Sequence, residues 1–189
     1  AGSGFARSSG KRVVAFIGYS TFFHSGMTGL ANAVFNQHNV ILIILDNGTT
    51  AMTGHQPNPG VDQDVLGATS THLDIESIVK GIGVTKLAKV RGYNQKAIQS
   101  ALEDMKENSG VQVLIVEEPC VLFARRTLKR KRNQVAFVAE QDDSALQCLN
   151  TLACQAFRRN GDIISVDEEL CAGCMVCMQV SDSFKGKKR

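Results

Sequence analysis

The chain has 189 residues, 43% of them hydrophobic and 21% charged, and a formal net charge of +3. Such usage excludes a disordered or fibrous polypeptide, and so small a positive balance speaks for solubility rather than for a nucleic-acid partner. The longest apolar run, Val40 to Leu45, is too short to cross a bilayer, and no signal-peptide pattern opens the chain, so neither a membrane nor a secretory location is expected.

A first strand is expected over Arg12–Gly18 (RVVAFIG), followed by a helix with a stripe of Met27, Leu30, Ala31 and Val34. A second strand follows over Asn39–Asp46 (NVILIILD), then a short helix over Leu73–Lys80, a weaker strand over Thr85–Val90 and a helix opening near Asn94 and closing at Gly110. That last helix carries Ala97, Ile98, Ala101, Leu102 and Met105 on one face, and a strand over Val111–Glu117 (VQVLIVE) succeeds it. Short unbroken aliphatic runs are the habit of strands buried on both faces. Their alternation with helices predicts an α/β fold with a doubly wound, mostly parallel sheet.

Composition changes at Arg125, where eight residues up to Arg132 carry six positive charges with no aromatic residue among them. The stretch reads as a solvated linker rather than a nucleic-acid or phosphate patch. Beyond it come a strand over Val135–Val138 and a helix capped by Asp142 or Ser144 and ending at Gly161. Leu146, Leu149, Ala153 and Ala156 form that helix's buried side, with Cys148 and Cys154 as small core residues. The expected division is a domain over 1–124, a basic linker and helix over 125–161 and a C-terminal segment over 162–189.

In an open parallel sheet, ligands collect beyond the carboxyl ends of the strands. Two polar segments fall there: Gly18-Tyr19-Ser20-Thr21-Phe22-Phe23-His24-Ser25-Gly26 after the first strand, and Asp46-Asn47-Gly48-Thr49-Thr50 with the loop Ala51 to Gly60 after the second. If the two strands are neighbours, the loops face each other. Glycines admit close backbone approach, a helix N-terminus near Ser25 offers free N–H groups to an anion, and Asn47 and Thr49 supply hard oxygens of the kind Mg²⁺ prefers. A diphosphate with its magnesium fits this arrangement. On pattern alone, Gly18 and Gly48 read equally well as ordinary turn residues.

The stretches GYSTFFHSGMTGLANAVFNQHN and LDNGTTAMTGHQPNPG closely resemble the thiamine-diphosphate-binding domain of indolepyruvate ferredoxin oxidoreductase alpha subunits, in the 2-oxoacid:ferredoxin oxidoreductase family. The resemblance runs from Ala1 to about Phe123. It implies that Gly18, Ser20, Thr21, His24, Asn47, Gly48, Thr49, Thr50 and Met52 surround thiamine diphosphate, with Asn47 and Thr49 as Mg²⁺ ligands. It also implies that His55 and Gln56 stand at the reactive end of the cofactor, although His55 reads otherwise as a surface loop histidine. Tyr19 departs from the pattern, because the family places an aspartate there as the anionic metal ligand, and a phenol is neutral at pH 7. The earlier part of the domain and a pyrimidine-binding domain, with the glutamate that activates the cofactor, would precede this stretch, so the isolated chain is expected to be inactive.

Six cysteines occur, three of them as Cys171-Ala-Gly-Cys174-Met-Val-Cys177. A tight triplet in so aliphatic a chain speaks against a secreted disulfide framework and for a reducing, cytoplasmic location. The C-x2-C-x2-C spacing opens the bacterial ferredoxin run. Ser181 and Asp182 stand where the closing Cys-Pro belongs, which leaves open a four-iron (4Fe-4S) or three-iron (3Fe-4S) iron–sulfur cluster, zinc, or an empty site. By the resemblance, the segment is the start of a ferredoxin-like domain. The activity so implied is oxidative decarboxylation of an aryl 2-oxoacid to an acyl-CoA, with a beta subunit, ferredoxin, coenzyme A and the oxoacid as partners. The rival is a non-catalytic, cluster-bearing or scaffold subunit that has lost the cofactor through Tyr19.

Overall fold

A computed structural model describes residues 1–68 and 71–189, which form two compact units, residues 1–124 and 125–189. The first unit opens with helix α1 (Gly2–Ser9) and strand β1 (Val13–Gly18). Helix α2 (Tyr19–Thr21) follows at once, widens through a π segment (Phe22–Gly26) and continues as α3 (Met27–Phe35). Then come β2 (Val40–Asp46), a 3₁₀ turn over Ala51–Thr53, α4 (Ile75–Gly81), β3 (Lys86–Arg91), α5 (Gln95–Lys106), β4 (Gln112–Glu117) and α6 (Val121–Arg126).

The strands lie in the order β1-β2-β4-β3, every pair parallel, with Gly18 opposite Leu45 and Asp46 opposite Glu117. Alternate residues of each strand face opposite sides, so both faces need covering. On one, Phe22, Leu30, Ile75 and Val79 pack on Ile44, Val113 and Ile115; on the other, Met105 of α5 packs on Ile41, Ile43 and Leu114. This is the doubly wound α/β arrangement. The side chains of Asp74 and Asn94 begin α4 and α5 by accepting from the N–H groups of Ser77 (2.7 Å) and Ala97 (3.0 Å).

The second unit contains β5 (Gln134–Val138), α7 (Asp143–Leu152), β6 (Phe157–Asn160), β7 (Ile163–Val166), α8 (Cys177–Val180) and β8 (Phe184–Lys188). β5 and β8 pair antiparallel, as do β6 and β7. Residues from both sides of position 161 share one core, in which Val135, Ala145 and Cys148 meet Ile164, Cys171, Cys177 and Phe184.

Helix α7 takes Asp142 as its cap, through the Ala145 N–H at 2.8 Å, but stops at Leu152 instead of running to Gly161. Ala153 turns left-handed (φ 45°), which ends the helix and takes Ala153, Cys154 and Ala156 off its buried face. Among the described residues, no helix is long and apolar enough to cross a membrane.

Candidate functional site

Because β1 and β2 are parallel neighbours, the loops that follow them emerge side by side at one end of the sheet. Ser20 and Asn47 therefore share that end. The helix after β1 starts at Tyr19 rather than near Ser25, with Gly18 in extended conformation as its N-cap and no side chain capping the first turn. Its opening N–H groups thus remain available to an anion at the positive end of the dipole. After β2, Gly48 adopts φ 69°, and the loop is folded by Asp46 Oδ1 accepting from the Gly48 N–H (2.9 Å) and Asn47 Oδ1 accepting from the Thr49 N–H (3.3 Å). Carbonyls of Asp46 and Asn47 take the N–H groups of Glu118 (2.8 Å) and Cys120 (3.0 Å), tying this loop to the one after β4.

A cavity of about 230 Å³ opens here, lined among others by Tyr19, Asp46, Gly48, His72, Lys89 and Glu117. Lys89 pairs with Glu117 at 2.8 Å, and His72 Nδ1 lies 3.0 Å from Asp62. Burial pushes the Asp46 carboxyl above its usual range, against the opposing pull of the Gly48 N–H. Of the sequence-predicted positions, Gly48 lines this cavity. Asp46, His72, Asp74, Lys89 and Glu117 are additions that sequence reasoning missed; only the strand register aligns the ends of β2, β3 and β4.

Tyr19 occupies the centre of the arrangement. It is 6% exposed, stacks edge-on against Phe23 with ring centroids 5.3 Å apart, and donates its hydroxyl proton to the carbonyl of Gly60. A Cβ on residue 60 would run into the Tyr19 and Phe23 rings, so Tyr19 and Gly60 are matched. Burial first, and the Asp46 carboxylate second, push the phenol up and keep it protonated.

The donor set does not fit the magnesium expected there. Position 19 offers a neutral hydroxyl already committed to a carbonyl. Asn47 Oδ1 is engaged by Thr49, and Thr49 itself is 2% exposed. Hard dications want anionic oxygens, and none of the three residues expected to surround the metal supplies one.

The loop over 50–60 is closed by a bridge between Thr50 and Gln56, with the His55 N–H donating to the Thr50 carbonyl (3.0 Å) and Asn58 Nδ2 donating to the Thr50 hydroxyl (3.3 Å). Gln56 is exposed and bonds Thr53 through both ends of its amide. His55 holds a left-handed backbone (φ 66°), stands 5.8 Å from the Phe123 ring and keeps a buried Nδ1 without a partner. Thr21 and His24 are exposed, and Met52 is fully so.

In the second unit, Cys171 and Cys177 are buried and Cys174 half-buried, all as free thiols. Among the described residues no three metal-ligating side chains converge as a group. Burial, then Cys148 and Cys174, push Cys177 up to about 12, and Cys174 is raised by burial and by Cys154 and Cys171. Cys154 lies outside α7 and is exposed, so it is no core residue. Ser181, in contrast, is tied to Ser144 at 2.7 Å.

Two further observations bear on the cysteine loop. Gly173 adopts φ 75° with the Gln134 carbonyl 2.7 Å from where a Cβ would lie, and the Nε of Arg132 is buried with no partner.

Residues 1–116 match the family described as thiamine pyrophosphate enzyme, C-terminal TPP binding domain. Over 179 residues, 94% of this chain, the sequence is 37% identical to indolepyruvate oxidoreductase subunit IorA of Archaeoglobus fulgidus. The same subunit of Methanothermobacter thermautotrophicus is 39% identical over 178 residues. The chain spans 29% and 28% of these relatives' lengths. A solved 2-oxoglutarate:ferredoxin oxidoreductase from Magnetococcus marinus shares the fold over 55% of this chain and 38% of its own, at 16% identity and a TM-score of 0.50.

Proposed function

We propose, from the premise that the chain belongs to the thiamine pyrophosphate enzyme family, that its first unit carries the diphosphate half of a thiamine diphosphate site. The enzyme so served is an oxidoreductase that oxidatively decarboxylates an aryl 2-oxoacid of the indolepyruvate kind to an acyl-CoA, with ferredoxin as acceptor and a beta subunit as partner. The observation that carries this reading is the placement of the Gly18–Thr21 and Asp46–Thr50 turns beside each other at the carboxyl ends of β1 and β2, within the family-matched residues.

Thiamine diphosphate supplies the electron-sink chemistry of decarboxylation. The chain's own residues bind and orient. The opening N–H groups of the helix at Tyr19 and the turn at Gly48 receive the diphosphate, and Asn47 and Thr49 shape the turn. His55, with a free buried nitrogen on a strained backbone, makes the polar contact to the oxoacid, and Gln56 holds the loop closed beneath it. The spacing of Cys171, Cys174 and Cys177 supports an iron–sulfur cluster in the second unit as the start of a ferredoxin-like domain. No step is assigned to magnesium.

Tyr19 favours one second reading, a cluster-bearing scaffold subunit without the cofactor, because the phenol and the Gly60 carbonyl occupy each other where a metal would be held. A thermal-shift titration separates the two. Thiamine diphosphate is expected to raise the melting temperature of the chain without added magnesium. An unchanged melting temperature at millimolar cofactor supports the scaffold.

A further inference from the structure

Strand β8 lies at the edge of its sheet, paired only with β5. In an antiparallel pair, successive residues turn their N–H and C=O groups alternately toward the partner strand and away from it. The Arg189 N–H donates to the Asn133 carbonyl (3.2 Å) and the Ala139 N–H to the Ser183 carbonyl (2.7 Å), so the odd-numbered residues of this stretch face β5. Gly186 and Lys188 therefore turn their backbone groups outward, and among the described residues no backbone hydrogen bond crosses that edge from either of them. Every residue of β8 after Phe184 is exposed.

The fold brings a second group of cations to this strand. Gln134 stands opposite Lys188, so the basic run enters β5 at the end where β8 finishes. Arg132 pins the run by donating to the carbonyls of Glu168 (2.9 Å) and Glu169 (3.0 Å), while Lys129, Arg130 and Lys131 ahead of it are exposed. Elsewhere in the unit the cations are matched: Lys187 has Glu168 at 2.5 Å, and Arg158 and Arg159 have Asp167 and Asp162. Among the described residues, no carboxylate lies within ion-pair distance of Lys129, Arg130, Lys131, Lys185, Lys188 or Arg189.

Six like charges without counter-charges repel one another, a cost that an oppositely charged partner removes. The same repulsion excludes a second copy of this edge as the occupant. Single-stranded nucleic acid needs rings to stack on; the run has none, and the Phe137 ring lies beneath the Lys187 ammonium, 6.0 Å away. An extended acidic peptide answers both features, because its backbone completes the open edge and its carboxylates meet the cations.

We propose that the outer edge of β8 docks an acidic, extended segment of a partner protein, which joins the β5–β8 sheet as a third strand. Gly186 and Lys188 exchange main-chain hydrogen bonds with it, and Lys185, Lys188 and the Lys129-Arg130-Lys131 run pair with its carboxylates. This docking does not depend on the thiamine diphosphate reading.

The test titrates the ¹⁵N-labelled 189-residue chain at low salt with a blocked peptide of alternating Glu and Thr, and separately with its Gln–Thr counterpart and a short DNA duplex. The acidic peptide is expected to bind saturably and to slow hydrogen exchange at the Gly186 and Lys188 amides, and the neutral peptide to do neither. Lys185→Glu combined with Lys188→Glu is expected to weaken binding at least about tenfold. Arg130→Glu combined with Lys131→Glu, outside any helix or strand, is expected to do the same and decides the matter should the β8 variant misfold. Arg7→Glu combined with Lys11→Glu, at exposed positions of the first unit, is expected to change nothing.

Saturable binding that leaves both amides unprotected overturns the added strand. Absence of binding by the acidic peptide, or equal affinity in the wild type and the charge-reversed variants, overturns the surface. Binding of the duplex but not of the peptide assigns the face to nucleic acid and overturns the partner class.

Discussion

The Tyr19→Asp variant is expected to bind thiamine diphosphate at least about tenfold more tightly with Mg²⁺ than without it, a difference of ~1.4 kcal/mol that the wild type does not show. Position 19 follows directly on β1, at the sheet end that also carries Asn47 and Thr49. Those two offer uncharged oxygens, so an added carboxylate is the only anion at the three positions expected to surround the metal. In the wild type the same position holds a phenol that burial keeps protonated and that is spent on the Gly60 carbonyl. The substitution has a cost. Tyr19 belongs to the core with Phe22 and Phe23, and removing a buried aromatic ring destabilises a domain by about 3–5 kcal/mol. Circular dichroism must therefore accompany the calorimetry. Tyr19→Phe is the control: it keeps the ring, loses only the hydrogen bond to Gly60 at about 1 kcal/mol, and leaves the magnesium response as in the wild type. A folded Tyr19→Asp protein with equal affinity in the presence and absence of Mg²⁺ contradicts this account of position 19.

A comparably large effect is expected at Cys154. If Cys154 serves an iron–sulfur cluster as a fourth donor, Cys154→Ala is expected to lower the iron retained after anaerobic reconstitution by roughly a quarter or more. Cys148→Ala is expected to leave iron content unchanged. The two residues look alike in sequence, as cysteines in an aliphatic stretch, but the fold separates them. Cys148 is fully buried in α7, whereas Cys154 follows the left-handed Ala153 and is exposed near the thiol of Cys174. Equal iron content in both variants removes Cys154 from the ligand set.

How far these features can be read without coordinates depends on where the information resides. β1, β2 and β4 are legible because their aliphatic runs are continuous, and a strand buried on both faces has no other composition open to it. β3 is fainter, since Lys86, Lys89 and Arg91 interrupt an edge strand. β6 and β8, with the sequences FRRN and FKGKK, carry no apolar pattern at all; they are strands because β7 and β5 pair with them, a tertiary effect that propensity does not encode. The end of α7 was hidden for a similar reason, as nothing marks Ala153 for a left-handed turn.

The same distinction runs through the site. Gly18, Gly48 and the polar turns around them are visible as breaks after apolar runs. The charged lining of the cavity is not, because Asp46, Lys89 and Glu117 come from three strands whose ends only the register aligns. Tyr19 stood out in sequence as a departure, while its match to Gly60 emerges only from the packing that leaves no space for a Cβ. Arg132 was one charge in a basic run until its hydrogen bonds singled it out.

The central claim is that the turns after β1 and β2 jointly receive the phosphates of thiamine diphosphate. Amide chemical shifts of the uniformly ¹⁵N-labelled chain, followed through a titration with the cofactor, test it residue by residue. The account predicts saturable shifts concentrated on Gly18, Tyr19, Ser20 and Thr21 together with Gly48, Thr49 and Thr50. Saturable shifts that leave both of these turns unmoved, or that move only residues at the opposite ends of the strands, would contradict it.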